Sequence, residues 1–159
     1  MNASVIVCDD IRIEITGKLV LVGVYPGNLS IPQDNMQIPQ LQFFFSADFP
    51  LDDVPKRLSF EVTLPGQETQ KSEMDLAAPI AEPHHTRWQI RHVLGIAGPV
   101  LKTGKVDIRV VADGNECPIS SPWVVLAPAA EPTIEASSNA SPQPSEQSPT
   151  VRKRTRKLL

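Results

Sequence analysis

Apolar and polar side chains alternate with a period of two through most of the first 126 residues, which predicts strands rather than helices. Ile11, Ile13 and Ile15 alternate with Arg12 and Glu14, giving one apolar and one charged face. Thr16-Gly17 then reads as a two-residue turn into residues 18–25, which are apolar on both faces and so resemble a central strand. Residues 5–8 form a short strand before this hairpin, bent away from it at Asp9-Asp10. Pro26-Gly27 has the residues of a type II turn, proline setting φ at the first central position and glycine accepting a positive φ at the next.

The pattern continues downstream. Leu41, Phe43, Phe45 and Ala47 share a face, with Phe44 on the other, and Leu58, Phe60, Val62 and Leu64 alternate with Arg57, Ser59, Glu61 and Thr63 before the turn pair Pro65-Gly66. A weaker alternation links Ser72, Met74 and Leu76, and residues 79–86 read as a loop. Trp88, Ile90 and His92 mark the next strand, over residues 88–95, followed by Gly98-Pro99. Val106, Ile108, Val110 and Ala112 define another, and Asp113-Gly114 is the strongest hairpin signal in the chain. Residues 121–126 form the last strand, with Pro118 and Pro122 placing it at a sheet edge or delaying its entry into the sheet.

Seven or eight strands with closely spaced turn signals and no amphipathic helix predict an all-β fold. A single antiparallel β-sandwich, immunoglobulin-like or Greek-key, is expected over residues 1–126, with a small closed barrel as the alternative. The cysteine pair and intervening tryptophan of antibody domains are absent, so the expectation concerns architecture only.

Composition changes at Leu126. All eight glycines and all eight aromatic residues precede it, whereas residues 127–150 are dominated by Ala, Pro, Ser, Glu and Thr, with Ile134 the one large aliphatic. So little apolar surface cannot offset the entropy of ordering a backbone, so residues 127–159 are expected to be a disordered arm. Charge divides at the same point: 15 acids and 10 bases up to Leu126, then 3 acids and 5 bases. Arg152, Lys153, Arg154, Arg156 and Lys157 form a basic tip suited to anions. It could take nucleic acid through phosphate contacts, an acidic protein or an anionic membrane surface. An acidic body is a poor nucleic-acid surface, so nucleic acid is expected through the tail only.

No apolar run approaches the roughly 18 residues of a membrane span, and residues 1–10 lack a secretory pattern, so a soluble, cytoplasmic chain is expected. Cys8 and Cys117 then read as reduced core thiols. Trp88 and Trp123 read as core residues in a body with few aromatics, with exposed partner anchors as the alternative.

Candidate chemistry is sparse. Asp9 and Asp10, with Glu14 or Asp52 and Asp53, could offer oxygens to a hard cation, but no EF-hand spacing is present, and capping a strand bend explains them as well. His84 and His85 are adjacent and point apart in an extended loop, and no HExxH or CxxC motif adds ligands. His92 has the parity of Trp88 and Ile90, a sheet-face position. No nucleophile elbow or phosphate-cradling glycine loop occurs. No catalytic residue, metal or cofactor is therefore assigned.

Cys8-Asp9-Asp10 with Arg12, then Gly17-Lys18, then Gly23-Val24-Tyr25, resembles the N-terminal signature of a family of small uncharacterised β-rich bacterial proteins. The resemblance implies a bacterial source and a β-rich domain over about the first 125 residues, and no activity, cofactor or site residue. The expectation is thus a non-enzymatic binding or structural module whose basic arm contacts an anionic partner, with a protein partner expected. One alternative is a small metal-binding domain or hydrolase using Asp9, Asp10, His84 and His85; another is a structural subunit of a larger assembly.

Overall fold

Alternating segments that bury one face in a shared core account for most of the architecture. The computed structural model describes residues 1–77 and 86–128, and every regular element among them is a strand. The expected loop at residues 79–86 therefore lies outside the described residues, Thr86 excepted, as does the tail beyond Pro128.

The longest strands make a three-stranded antiparallel sheet in the order β1 (Asn2–Cys8), β6 (Gln40–Pro50), β9 (Arg87–Ala97). A four-stranded antiparallel sheet has the order β13 (Asn115–Cys117), β12 (Asp107–Ala112), β7 (Arg57–Thr63), β8 (Gln70–Asp75). Three smaller sheets complete the body. The hairpin β2 (Asp10–Ile13) and β3 (Leu19–Val22) stands alone, β5 (Met36–Gln37) pairs with β10 (Val100–Leu101), and β14 (Trp123–Leu126) lies between β11 (Gly104–Lys105) and β4 (Leu29–Ile31).

Both larger sheets contribute buried rows to one hydrophobic core cluster. Leu41, Phe43, Phe45, Ala47 and Phe49 of β6 join Leu58, Phe60 and Val62 of β7 and Ile108 and Val110 of β12, all buried. Phe60 of β7 packs against the three-stranded sheet, its ring centroid 4.9 Å from that of Phe45 on β6 and 4.7 Å from that of His92 on β9. Trp88, Ile90, His92 and Leu94 point inward from β9, as their parity predicts. The opposite face of the four-stranded sheet is laced with ion pairs, Arg57 to Asp75 (3.3 Å), Lys71 to Glu61 (3.2 Å) and Arg109 to Glu61 (3.4 Å) among them. The Arg57–Asp75 pair is exposed, and such pairs contribute little stability.

Turn chemistry matches the sequence at two sites. Asp113 (φ 47°) and Gly114 (φ 85°) form the primed turn between β12 and β13. The Asp113 carboxylate also accepts from the amides of Lys56 (3.0 Å) and Arg57 (2.8 Å), anchoring the start of β7. Pro65-Gly66 closes β7, with Gly66 at φ 72° and the Gln67 amide donating to Leu64 O.

Five expectations need correction. The first hairpin has a three-residue loop, Ile15-Thr16-Gly17, because Glu14 and Lys18 close it and Gly17 supplies the positive φ of a bulged turn. Its second strand is not central: β3 pairs with β2 alone, and Val20 and Val22 are exposed. Ile13 and Ile15, from the apolar face expected of the first strand, are exposed too. Gly27 has no positive φ, so Pro26-Gly27 is not a type II turn; the positive φ falls at Gly23 instead, at 65°, where the chain bends opposite Asp9 and continues antiparallel to β1 at Tyr25. Of the two readings of the last strand, the edge position fails, because β14 is flanked antiparallel by β11 and parallel by β4, while delayed entry agrees with its start at Trp123, just after Pro122.

Candidate functional site

Asp9, Asp10, Gly23 and Tyr25 come together at the base of the β2–β3 hairpin, whereas Gly17 and Lys18 lie at its tip. A bend at Asp9 separates β1 from β2, held by the Asp9 amide donating to Val22 O (3.0 Å) and the Tyr25 amide donating to Val7 O (2.9 Å). Across this bend the Tyr25 hydroxyl donates to Asp9 Oδ1 at 2.7 Å. Gly23 lies under the same carboxylate, in space that a side chain would have to share with it. Asp10 accepts from Arg12 Nε at 2.7 Å and from Gln40 Nε2 at 3.1 Å, tying the hairpin to the start of β6.

The electrostatics follow from these partners. The hydrogen bond from Arg12 is the main reason the Asp10 carboxyl titrates below its usual range, with Gln40 adding to it. Burial, then the hydrogen bond to Asp9 and its charge, push the Tyr25 phenol up to about 12, so it remains a protonated donor. Cys8 is fully buried, and burial, with the charges of Asp9 and Asp10, raises its thiol. Cys117 is buried as well; burial raises its thiol, which donates to Met1 Sδ at 3.1 Å. Both cysteines are free and, at neutral pH, are held in the protonated form, which is a poor nucleophile.

Beside the bend, a cleft of about 540 Å³ is lined by Asp9, Asp10, Arg12, Tyr25 and Gln40 together with apolar residues that include Val22 and Met36. The carboxylates in it are occupied by tyrosine, arginine and glutamine donors, so they brace the hairpin. Among the described residues no three His, Cys, Asp or Glu side chains come together as a metal-holding group. Asp52 and Asp53 line other clefts, Asp53 beside Asp113 and Glu116. The cation grouping considered from sequence is therefore not assembled by the described residues. His84 and His85 lie outside them, as do Arg152, Lys153, Arg154, Arg156 and Lys157.

Alternation of side chains did not reveal where the hairpin stands. Register puts Ile11, Ile13, Leu19 and Leu21 on one face and Asp10, Arg12, Val20 and Val22 on the other. On the first face Ile13 is 75% exposed, on the second Val20 and Val22 are exposed, Ile15 at the tip is fully exposed, and Val24 just beyond β3 is exposed. A concentration of aliphatic side chains on a two-stranded ribbon outside the core is the least expected surface of this body. Trp123, expected in the core, is 51% exposed, because β14 turns Val124 inward instead; Trp88 packs against the core.

Comparisons with protein-family models, characterised proteins and solved structures find no match for this chain. No helix among the described residues is long and apolar enough to cross a membrane.

Proposed function

We propose that this chain is a non-enzymatic binding module, with a β-sandwich body that contacts a protein through its N-terminal hairpin and a basic C-terminal arm that adds an electrostatic contact to an anionic partner. The hairpin carries the reading. Its exposed aliphatics gain nothing from the fold, whereas covering them contributes roughly 25 cal/mol per Å² of apolar surface removed from water. The Asp9–Tyr25 and Asp10–Arg12–Gln40 bonds hold the ribbon at its root, which limits the ordering entropy a partner must overcome. Phe60 of β7, in contact with Phe45 and His92 of the three-stranded sheet, supports a sandwich of the two larger sheets, which we read as immunoglobulin-like or Greek-key.

For the arm, support comes from the five bases confined to residues 152–157 on a chain whose body is acidic. If all five engage duplex phosphates, log affinity should fall with log salt at a slope of up to about −4.5. Capture from lysate with and without nuclease, using the full chain, a variant with Ile13→Ser and Val20→Ser, and one with the five tip bases changed to Gln, tests both parts. A nuclease-resistant protein partner lost only from the hairpin variant supports the hairpin contact, and nuclease-sensitive capture lost only from the tip variant identifies the anion as nucleic acid. Capture unchanged by either set of substitutions refutes the reading.

A further inference from the structure

No strand among the described residues pairs with the outer side of β9, eleven residues long. Among the described residues β9 pairs with β6 alone, through eleven uninterrupted partners from Arg87↔Pro50 to Ala97↔Gln40. Natural sheets usually guard such an edge with proline, a bulge or charge. On β9 the charges stop at Arg91, and Val93, Leu94, Gly95, Ile96 and Ala97 carry none and include no proline. The two arginines are engaged locally, Arg87 Nε with Asp48 (2.6 Å) and Arg91 Nη2 with Gln89 Oε1 (2.9 Å).

The outward face adds an apolar stripe running to this edge. Register sets Ile6 opposite Phe44 and Phe44 opposite Val93, a row crossing all three strands. Ile6 is 39% and Val93 40% exposed, and Phe44 is half-buried between them.

We propose that β9 pairs antiparallel with β9 of a second copy, about a two-fold axis at Val93, joining the two three-stranded sheets into one of six strands. A two-fold axis perpendicular to a sheet pairs a strand with itself antiparallel, so self-complementarity can be tested residue by residue. Centred on Val93, the pairing places Val93 against Val93, Arg91 against Gly95 and Gln89 against Ala97. Each long polar side chain then meets a small one, and no like charges are opposed. The row Ile6–Phe44–Val93 continues into its symmetry mate as six apolar side chains. Centring on Arg91 instead would oppose two guanidiniums, which is destabilising in a cross-strand pair. The occupant is a second copy because the edge matches its own sequence in this register. The inference does not depend on the hairpin contact proposed above.

Sedimentation equilibrium of the full chain over a concentration series, combined with oxidative trapping, tests this. Directly opposed Cβ atoms in antiparallel strands approach to roughly 4.5–5.5 Å, near the range a disulfide spans. Val93→Cys should therefore form a covalent dimer on mild oxidation, while Gln89→Cys, facing Ala97, and the wild type, with both thiols buried, should not. Val93→Lys opposes two ammonium groups at the axis and should weaken self-association by about tenfold or more. Val93 is partly exposed, so the substitution should leave the fold intact, checked by an unchanged circular dichroism spectrum. A chain monomeric throughout the series, a dimer indifferent to Val93→Lys, or equal trapping at positions 89 and 93 would overturn the proposal.

Discussion

Substituting Gly23 by alanine should damage the hairpin base in two separable ways. The residue sits at φ 65°, a left-handed conformation that costs an L-residue about 1 kcal/mol. In addition, the new methyl would be built into the Asp9 carboxylate, only 2.6 Å from its Cγ, so Asp9 must swing away from Tyr25. Losing that hydrogen bond adds about 1–1.5 kcal/mol, for a total of about 2–2.5 kcal/mol. With an unfolding entropy near 2.1 cal/mol/K per residue over a body of roughly 125 residues, the melting temperature should fall by about 8–10 °C. Gly17→Ala is the internal control: φ is 78°, yet a Cβ there meets nothing within 4 Å, so only the backbone cost applies, a drop of about 4 °C. Asp9→Ala combined with Gly23→Ala removes the clash, and the pair should be less destabilising than the two single changes added together. Thermal melts followed by far-ultraviolet circular dichroism give all four values. Equal shifts for Gly17→Ala and Gly23→Ala, or strict additivity with Asp9→Ala, would refute the packing argument.

Three further outcomes follow from the titratable groups. Tyr25 is the one tyrosine, so absorbance near 295 nm reads its ionisation alone; a midpoint of about 12 is expected, falling towards 10 in Asp9→Asn but not reaching it, because burial remains. Since the folded phenol holds its proton more tightly than the unfolded one, stability should decline as pH rises from about 10 through the folded midpoint. His92 stacks on Phe60 with a buried Nε2 that has no partner among the described residues, and burial lowers its pKa. The unfolded chain then binds the proton more tightly, so stability should fall as pH drops below about 6.5; urea unfolding of His92→Leu should show a flatter profile down to the folded pKa. Asp113 titrates low because the Lys56 and Arg57 amides bind its charged form, so its contribution should be lost as pH falls below about 4. In melts near neutral pH, Asp113→Asn, which keeps an acceptor and tolerates the positive φ, should be milder than Asp113→Ala.

By itself the sequence determined the elements whose burial follows from local alternation. The buried rows of β6, β7, β9 and β12 coincide with the apolar parity of Phe43, Phe60, Ile90 and Ile108, because a strand packed on one face must alternate. The turns at Asp113-Gly114 and Pro65-Gly66 were equally legible, since few residue pairs accept those backbone angles. Tertiary structure alone decided which apolar faces reach the core. The residues of β2 and β3 look like a buried hairpin, yet the bend at Asp9 carries them off the core, and nothing in their alternation records that direction. Short strands such as β4 and β5 contain too few residues to show a period, and β14 owes its central place to a parallel partner almost a hundred residues away. The candidate site divides in the same way: the grouping of Asp9, Asp10, Gly23 and Tyr25 was visible as a motif. Its role as a brace depends on a contact across the bend, which only the folded chain defines.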